Sequence, residues 1–202
     1  MSVRDTFFVY EILRRGFLFG LRIKPILECL DAKPGEKILD AGCGFGHLAK
    51  YFKHCNYTGV DLDPERIEWA KKNVGETPTR RFITADVCQT DLQPKSFDKA
   101  LGYGLLHHLS DDTADRCLAE LSRIVKGKTV FSDPVYSRAH WFSNMLCRMD
   151  RGEHVRDKKG YLELCRKKFS VQSQRYFYSR NGFAKYFLTA SLPKTFSAVA
   201  GA

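Results

Sequence analysis

The sequence predicts an α/β protein with a doubly wound, mostly parallel sheet of seven strands that ends in an antiparallel hairpin. Up to residue 133, five short apolar segments alternate with segments of helical spacing, which is the pattern of a parallel sheet with crossover helices. Two later strand-like segments, 169–178 and 183–189, flank a Ser-Arg-Asn-Gly turn at 179–182. These two segments predict the hairpin.

The individual elements follow from apolar periodicity and from the turn residues between periodic segments. Apolar residues at helical spacing within residues 3–30 predict two short helices that cover one edge of the sheet. Pro64 suits the first turn of a helix, and Ser110 followed by Asp111 is typical of a helix start. We predict strands at 37–41, 57–60, 81–85, 97–101 and 129–132, and helices at 47–54, 65–73, 111–126, 135–149 and 158–168.

Length and composition indicate one globular domain. The chain has 202 residues, of which 44% are hydrophobic, and a chain of this size can bury a single core. No apolar run approaches the about 18 residues of a membrane span, and the charged N-terminus argues against a signal peptide, so we expect a cytoplasmic protein. The seven cysteines form no C-x-x-C pair and the histidines are scattered, so we expect free thiols and no metal site.

The positive charge of the chain is concentrated in its last third. Residues 138–185 contain 12 Lys or Arg and 4 Asp or Glu, a net charge of +8 out of the total of +10. A local positive field favours an anionic partner, which would be an acidic or phosphorylated small molecule, a nucleic acid or a lipid headgroup surface. A solvated basic face would have the same composition.

The first predicted strand leads into a glycine-rich turn with the pattern D-x-G-x-G-x-G. Asp40 ends the apolar run, and glycines follow at every second position up to Gly46, as expected where the backbone takes positive φ or approaches a ligand. A dinucleotide-binding turn would have a glycine at position 47, where this chain has His47. Asp40 would repel a pyrophosphate, but it suits a ligand with an ammonium group.

Acidic residues also follow the second and third predicted strands. Asp61 comes 21 residues after Asp40, where a carboxylate can accept hydrogen bonds from ribose hydroxyls. Asp86 ends the third strand and can accept from an adenine amino group. Leu62 and Val87 lie next to these two acids and can sandwich the adenine ring.

Together, these motifs and the loop G-Y-G-L-L-H-H-L at 102–109 resemble the class I S-adenosylmethionine (SAM)-dependent methyltransferases over residues 33–133. The resemblance implies a Rossmann-like fold and SAM as cofactor. It implies that Asp40 lies near the methionine amino group, Asp61 on the ribose and Asp86 on adenine. It further implies backbone contacts along the nucleoside and methionine from Gly42, Cys43, Gly44 and Gly46, with Gly102 and Tyr103 beside the methionine.

The whole chain, 1–202, is then expected to be a single methyltransferase domain. Residues 1–32 would form a helical cover, residues 33–133 the SAM-binding half and residues 134–192 the acceptor-side half. For the small, apolar tail at 193–202, disorder is an open alternative.

Two residues are candidates for a general base that takes a proton from the acceptor. His107 lies in the loop after the fourth strand, which faces the cofactor, and imidazole titrates near neutrality. An equally good interpretation is that His107 only hydrogen-bonds the backbone or the cofactor. Asp133, at the end of the fifth strand, is the second candidate, with a turn or helix-cap role as its alternative.

The element D-R-G-E-H-V-R at 150–156 resembles a subgroup of small bacterial methyltransferases, but it carries over no acceptor. Arg151, His154 and Arg156 are a candidate anion clamp, because guanidinium groups bind phosphate and carboxylate in bidentate fashion. An internal salt-bridge group with Asp150 and Glu153 is equally consistent with the sequence.

We therefore expect transfer of a methyl group from SAM to an oxygen or nitrogen atom of a small, anionic acceptor. An RNA or other nucleic-acid methyltransferase is the alternative that the basic segment supports, although the Asn/Asp-Pro-Pro-Tyr/Phe signature does not follow the fourth strand. A catalytically silent SAM-binding partner protein is the third possibility. The sequence leaves the acceptor and the oligomeric state open.

Overall fold

The computed structural model describes residues 23–136, 153–178 and 185–194. Its helices and strands are, in chain order, α1 (Lys24–Leu30), β1 (Lys37–Ala41), β2 (Asn56–Asp61), α2 (Pro64–Asn73), β3 (Arg80–Thr84), β4 (Lys99–Tyr103), α3 (Asp111–Ile124), β5 (Thr129–Pro134), α4 (Lys158–Lys168), β6 (Phe169–Tyr178) and β7 (Lys185–Pro193). Two 3₁₀ turns, Ala49–Tyr51 and Leu106–His108, lie between these elements.

The strands form one seven-stranded sheet in the order β3-β2-β1-β4-β5-β7-β6. Strands β1 to β5 pair in parallel, and β7 pairs antiparallel with both β5 and β6. The predicted fold class is therefore confirmed. Within the sheet, the first strand β1 is central. Strands β2 and β3 follow on one side of it, and the chain then crosses to β4 on its other side, so a crevice opens at the carboxyl ends of β1 and β4.

Helices cover both faces of the sheet, which explains why the parallel strands are almost continuously apolar. On one face α3 and α4 contribute Leu118, Leu121 and Cys165 to a buried cluster. On the other face Ile26 of α1 and Ile67 of α2 pack against the sheet. The rigid sheet between these layers fixes the strand ends that surround the crevice.

The helix predicted at 47–54 is wrong, since the structure has only the 3₁₀ turn Ala49–Tyr51 there. The first residues of β1 and β2 are paired, Lys37 with Asn56, so residues 47–55 must return along the whole length of β1. A strand of this length spans about 16 Å, and an α-helix of these residues rises only about 13.5 Å. The tighter 3₁₀ turn rises further per residue and lets β2 begin in register.

Three strands end at least two residues later than predicted. One of them is β7, which continues to Pro193 and not only to residue 189, so the first residue of the predicted tail belongs to the sheet. The fourth strand is Lys99–Tyr103 and not 97–101, because Phe97 forms an isolated bridge with Val125 before the strand begins. The fifth strand continues to Pro134, where its last residues pair with Tyr186 and Phe187 of β7. The strand at 37–41 and the helix at 158–168 are confirmed.

Several predictions fall outside the described residues. These are the helices within residues 3–22, most of the helix at 135–149, the turn at 179–182 and the tail from residue 195. Among residues 23–136, 153–178 and 185–194, no helix combines the length and the apolar character of a membrane span. The six described cysteines are free thiols.

Candidate functional site

A cavity of about 400 Å³ lies at the carboxyl ends of the parallel strands, where the strand order reverses. Its lining includes the carboxylates of Asp40, Asp61 and Asp86 and the imidazole of His107. The remaining lining comes from the glycine turn, the loops after β3 and β4, and the hairpin: Gly42, Cys43, Gly44, Phe45, His47, Leu48, Leu62, Arg66, Val87, Cys88, Tyr103, Gly104, Leu105, His108, Leu109, Thr113, Pro134 and Tyr186.

The glycines of the turn after β1 have two different physical roles. Gly42, Gly44 and Gly46 all take positive φ. A Cβ atom at Gly46 would lie 2.5 Å from the Phe82 ring, and one at Gly42 would lie 2.9 Å from Leu105. A Cβ at Gly44 would meet nothing within 4 Å. Packing therefore requires the outer two glycines, whereas Gly44 presents bare backbone to the cavity.

Asp61 links the glycine turn to the beginning of α2. Its Oδ2 accepts a hydrogen bond from the backbone N–H of Gly44 at 2.8 Å, and its Oδ1 accepts one from Asp63 at 3.0 Å. A carboxylate has about four lone-pair sites, so this side chain can still accept from a ligand in the cavity. The same contacts hold the turn and the carboxylate in one fixed geometry.

Asp40 is buried at the end of β1, with only 1% of its surface exposed. Its Oδ2 accepts a hydrogen bond from the hydroxyl of Tyr57 at 2.6 Å. Burial raises the pKa of Asp40 to about 7, against the opposing effect of the Tyr57 hydrogen bond, and the nearby charge of Asp61 adds to the rise. A positively charged ligand group beside Asp40 would favour its ionised form.

His107 and Asp133 form a buried pair, each 2% exposed. Asp133 Oδ1 lies 2.9 Å from His107 Nδ1 and also accepts from the backbone N–H of His107 at 3.2 Å. Because this oxygen already accepts from the backbone N–H of His107, the geometry favours Nδ1 as the donor to it, and the lone pair of a neutral imidazole would then lie on Nε2. The two residues that the sequence offered as separate candidates thus belong to one unit.

Two predicted cofactor residues do not line the cavity. These are Gly46 and Gly102. A Cβ atom at Gly102 would lie 3.0 Å from the Phe131 ring, so packing explains why this position has glycine. Leu62 lines the cavity and is 69% exposed. Asp133 lies behind His107 and borders a separate small void.

The predicted anion clamp is not formed by Arg156 in this structure. Its guanidinium donates to the carboxylate of Asp111 and to three backbone carbonyls, and neither Arg156 nor His154 lines the cavity. Arg151 lies outside the described residues. Among the described residues, the acidic partner of Arg156 is Asp111 and not Glu153, and Asp150 lies outside the described residues.

Sequence reasoning missed several lining residues. Phe45 occupies a variable position of the glycine motif and His47 directly follows it, so their closeness to the motif was a usable signal. Tyr186 reaches the cavity because β7 pairs with the end of β5, and its ring stacks on Tyr103 with centroids 6.1 Å apart. No local pattern announces that contact, because it depends on antiparallel pairing.

The cavity fits a nucleoside ligand that carries positive charge. Three carboxylates supply hydrogen-bond acceptors for an ammonium group, ribose hydroxyls and an amino group, and Gly44 leaves room for close approach. The same carboxylates would repel a pyrophosphate.

Burial keeps the pKa of the Cys43 thiol far above its ordinary value, so this cysteine is not a nucleophile near neutrality. Within the described residues, no group of three or more His, Cys, Asp or Glu side chains could hold a metal ion.

The sequence profile of a family described as a methyltransferase domain matches residues 38–128. The chain is 32% identical over 109 residues to ribosomal RNA small subunit methyltransferase A of Malacoplasma penetrans, covering 52% of this chain and 38% of that protein. It is 30% identical over 103 residues to malonyl-[acyl-carrier protein] O-methyltransferase of Pectobacterium atrosepticum, covering 50% of this chain and 39% of that protein. The match thus spans less than two fifths of either relative.

Among solved structures, a SAM-dependent methyltransferase from Methanosarcina mazei superposes with a TM-score of 0.68. The match covers 84% of this chain and 97% of that chain at 20% sequence identity. At this identity the likeness supports the fold and not a particular acceptor.

Proposed function

We propose that the chain is a class I SAM-dependent methyltransferase that transfers a methyl group from SAM to an oxygen or nitrogen atom of a small acceptor. One observation carries this proposal. The same cavity is lined by carboxylates that suit a charged nucleoside and by an imidazole that a buried carboxylate positions.

In this proposal the cofactor half comprises residues 33–133. Asp40 faces the ammonium group of the methionine portion, Asp61 accepts from the ribose hydroxyls, and Asp86 accepts from the adenine amino group. Leu62 and Val87 flank the ring, and Gly44 approaches the ligand through its backbone. The fixed contacts of Asp61 with Gly44 and Asp63 support its role, because they orient the carboxylate before the ligand arrives.

Bound SAM supplies an electrophilic methyl group on a sulfonium, so the transfer depends on positioning and on the exclusion of water. The task of this chain is to orient the acceptor and to take up its proton. His107 Nε2 accepts that proton, and the charge of Asp133 stabilises the imidazolium that forms. An acceptor that must lose a proton, such as a hydroxyl or an amine, is the kind that needs this pair.

The acceptor class rests on weaker support than the cofactor. The net charge of +8 in residues 138–185 favours a small acceptor that is anionic. Relatives of the chain include enzymes named for ribosomal RNA and for malonyl-[acyl-carrier protein], so the relatives do not favour one acceptor class over the other.

A nucleic-acid acceptor is the second candidate. The edge strand β6 exposes Tyr176 and Tyr178, and Lys158 lies 6.0 Å over the Tyr176 ring. Aromatic and basic side chains together can bind bases and phosphates. RNA binding that weakens steeply with salt concentration would favour this candidate, whereas tight SAM binding without turnover on any acceptor would favour the silent partner protein.

Calorimetric titration of the purified chain with SAM, with S-adenosylhomocysteine and with NAD tests the cofactor assignment. We expect the first two to bind and NAD not to bind. Asp61→Ala should weaken SAM binding by about 10- to 100-fold, because a hydrogen bond to a charged group contributes about 1.5–3 kcal/mol.

Asp63→Ala is the matched control. Asp63 caps α2, accepting hydrogen bonds from Glu65 and Arg66, but it does not line the cavity. This variant should lose about 1 kcal/mol of stability and retain wild-type affinity for SAM. Unchanged affinity in Asp61→Ala, or no binding of SAM to folded wild-type protein, would overturn the assignment.

A further inference from the structure

We propose that Arg156 is a positioning residue of the candidate active site, which holds the turn that carries His107. The inference rests on the proposed role of His107. It replaces the anion-clamp hypothesis for Arg156 with a role that its hydrogen bonds support. The turn in question is the segment from Leu106 to Leu109, which joins β4 to α3.

The guanidinium of Arg156 binds both ends of this turn. Nη1 donates to the carbonyl of Leu106 at 2.7 Å, and Nη2 donates to the carbonyl of Leu109 at 2.8 Å. These two residues flank His107 and His108. One planar group therefore sets the distance between the beginning and the end of the turn, as the rigid fork of guanidinium donors allows.

The same side chain also joins the turn to the helix that follows it. Nε and Nη2 both donate to Asp111 Oδ1, at 3.0 and 2.7 Å. Asp111 is the first residue of α3. The side chain of Arg156 is only 11% exposed, whereas that of Asp111 is 80% exposed, so the carbonyl contacts lie inside and the ion pair lies at the surface. We therefore assign the positioning to the carbonyl contacts, because exposed ion pairs contribute little.

The backbone around Arg156 reaches His107 directly. The N–H of His154 donates to the carbonyl of His107 at 3.0 Å, and Arg156 Nη1 donates to the carbonyl of His154 at 3.0 Å. Asp133 binds the N–H of His107 from the other side. The peptide groups on both sides of the His107 Cα are thus fixed, and with them the direction of the imidazole.

The neighbourhood of Arg156 also connects this arrangement to β5. The guanidinium lies 5.9 Å over the ring of Tyr161, whose hydroxyl donates to the carbonyl of Pro134 at 2.9 Å. Pro134 follows Asp133, the partner of His107. Arg156 does not line the cavity, so its influence on the reaction passes through His107 and not through contact with a ligand.

Arg123 provides a matched control because it has the same kind of bonding elsewhere. Its guanidinium binds the carboxylate of Glu120 at 2.6 and 2.7 Å and the carbonyls of Thr90 and Leu92 at 3.2 and 2.8 Å. It too fixes a loop to α3, but that loop does not include His107. Substitution of Arg123 therefore shows the effect of losing a comparable arginine while the His107 turn keeps its contacts.

The test compares Arg156→Lys and Arg156→Gln with Arg123→Lys in the ligand-free protein. Nitrogen-15 NMR of the histidine rings, assigned with His107→Gln, reports the tautomer of His107, and hydrogen exchange reports the opening of the turn. In the Arg156 variants we expect a changed His107 ring signal and exchange of the His108 and Leu109 amides that is faster by at least about tenfold. Arg123→Lys should change neither signal.

A His107 signal and turn exchange that stay at wild-type values in folded Arg156→Lys would overturn the proposal, as would equal changes in Arg123→Lys. If Arg156→Gln does not fold, the lysine variant alone decides the outcome. Calorimetry should give SAM affinity within about twofold of wild type in Arg156→Lys, since a contact outside the cavity leaves ligand binding nearly unchanged. Absence of SAM binding in wild type would instead contradict the proposed function, so the two failures are distinguishable.

Once an acceptor is known, Arg156→Lys should lower kcat by about 10- to 100-fold, because small displacements of a reacting group are costly. The KM for SAM should stay near the wild-type value. A rise in KM with kcat unchanged would show that Arg156 acts on ligand binding, which contradicts the positioning role.

Discussion

Asp40 and Asp133 are buried carboxylates near the carboxyl ends of β1 and β5, and they differ in the group that donates to them. Asp40 accepts from the phenol of Tyr57, whereas Asp133 accepts from the imidazole and the backbone N–H of His107. A phenol is a very weak acid, and burial raises the pKa of Tyr57 further. It therefore stays a donor at all moderate pH values, whereas an imidazole can gain a proton.

The difference assigns the two carboxylates to separate tasks. The pKa of Asp40, raised by burial to about 7, makes its charge sensitive to a cation that enters the cavity. The charge of Asp133 instead acts on the imidazole of His107 and would stabilise its protonated form. In the proposed mechanism, the same residue type at two strand ends would serve ligand binding at Asp40 and proton uptake at Asp133, because the two carboxylates have different partners.

The largest expected effect concerns the pH dependence of stability at Asp40. Its pKa is higher in the folded protein than in the unfolded chain, so this group stabilises the fold fully below about pH 4. That contribution is lost as the pH rises to about 7, the folded-state pKa. Urea unfolding of the ligand-free protein measures this loss as a fall in the free energy of unfolding between about pH 4 and pH 7. The fall should be larger in wild type than in Asp40→Asn by on the order of 4 kcal/mol, at about 1.4 kcal/mol per pKa unit.

Tyr57→Phe sharpens this test. The variant removes the hydrogen bond that opposes the rise in the pKa of Asp40, so the loss of stability with increasing pH should extend to higher pH than in wild type. Equal pH dependence in wild type and Asp40→Asn would mean that Asp40 is not the group responsible.

The next largest effect concerns the imidazole of His107. His107→Gln should lower turnover by roughly 100- to 1,000-fold, since general-base catalysis contributes about that much. SAM affinity should stay near the wild-type value, because the carboxylates of Asp40, Asp61 and Asp86 remain. Steady-state kinetics with an acceptor, beside calorimetry, measures both quantities.

His108→Gln is the matched control, since the neighbouring imidazole is exposed and its ring centroid lies 3.9 Å from that of His107. We expect it to lower turnover far less than His107→Gln. Equal losses in the two variants would indicate a general disturbance of the turn, and normal turnover in His107→Gln would place the base elsewhere.

The smallest of these effects is expected from Asp133→Asn. Because the backbone N–H of His107 donates to the same oxygen as Nδ1, the amide oxygen of asparagine should keep this position and preserve the tautomer. Only the negative charge is lost, and turnover should fall by about tenfold. Asp133→Ala also removes the acceptor, so its turnover should fall further and the NMR signal of the His107 ring should change. If the two variants lose the same activity, orientation of the ring by Asp133 does not matter.

Local chemistry explains why much of this molecule could be predicted from sequence. The strand at 37–41, the helix cap at Ser110 and the helix at 158–168 follow from periodicity and capping, which involve neighbours in the chain. The glycine turn is a local requirement for positive φ. Alternation of strands and helices then brings Asp40 and Asp61 to one edge of the sheet, because all parallel strands end there.

Only the tertiary structure decided which side chains became partners. His107 and Asp133 are 26 positions apart, and Tyr57 and Asp40 are 17 apart, so no local pattern links them. The guanidinium of Arg156 binds Asp111 and the His107 turn, whereas the sequence pattern also allowed Asp150 and Glu153 as its partners. Strand order and the antiparallel pairing of β7 fix such contacts, and these depend on how the whole chain buries its apolar surface. The sequence by itself thus determined most of the elements and the edge of the sheet where the acidic residues meet, whereas long-range packing determined the His107–Asp133 pair and the contacts of Arg156 with its turn.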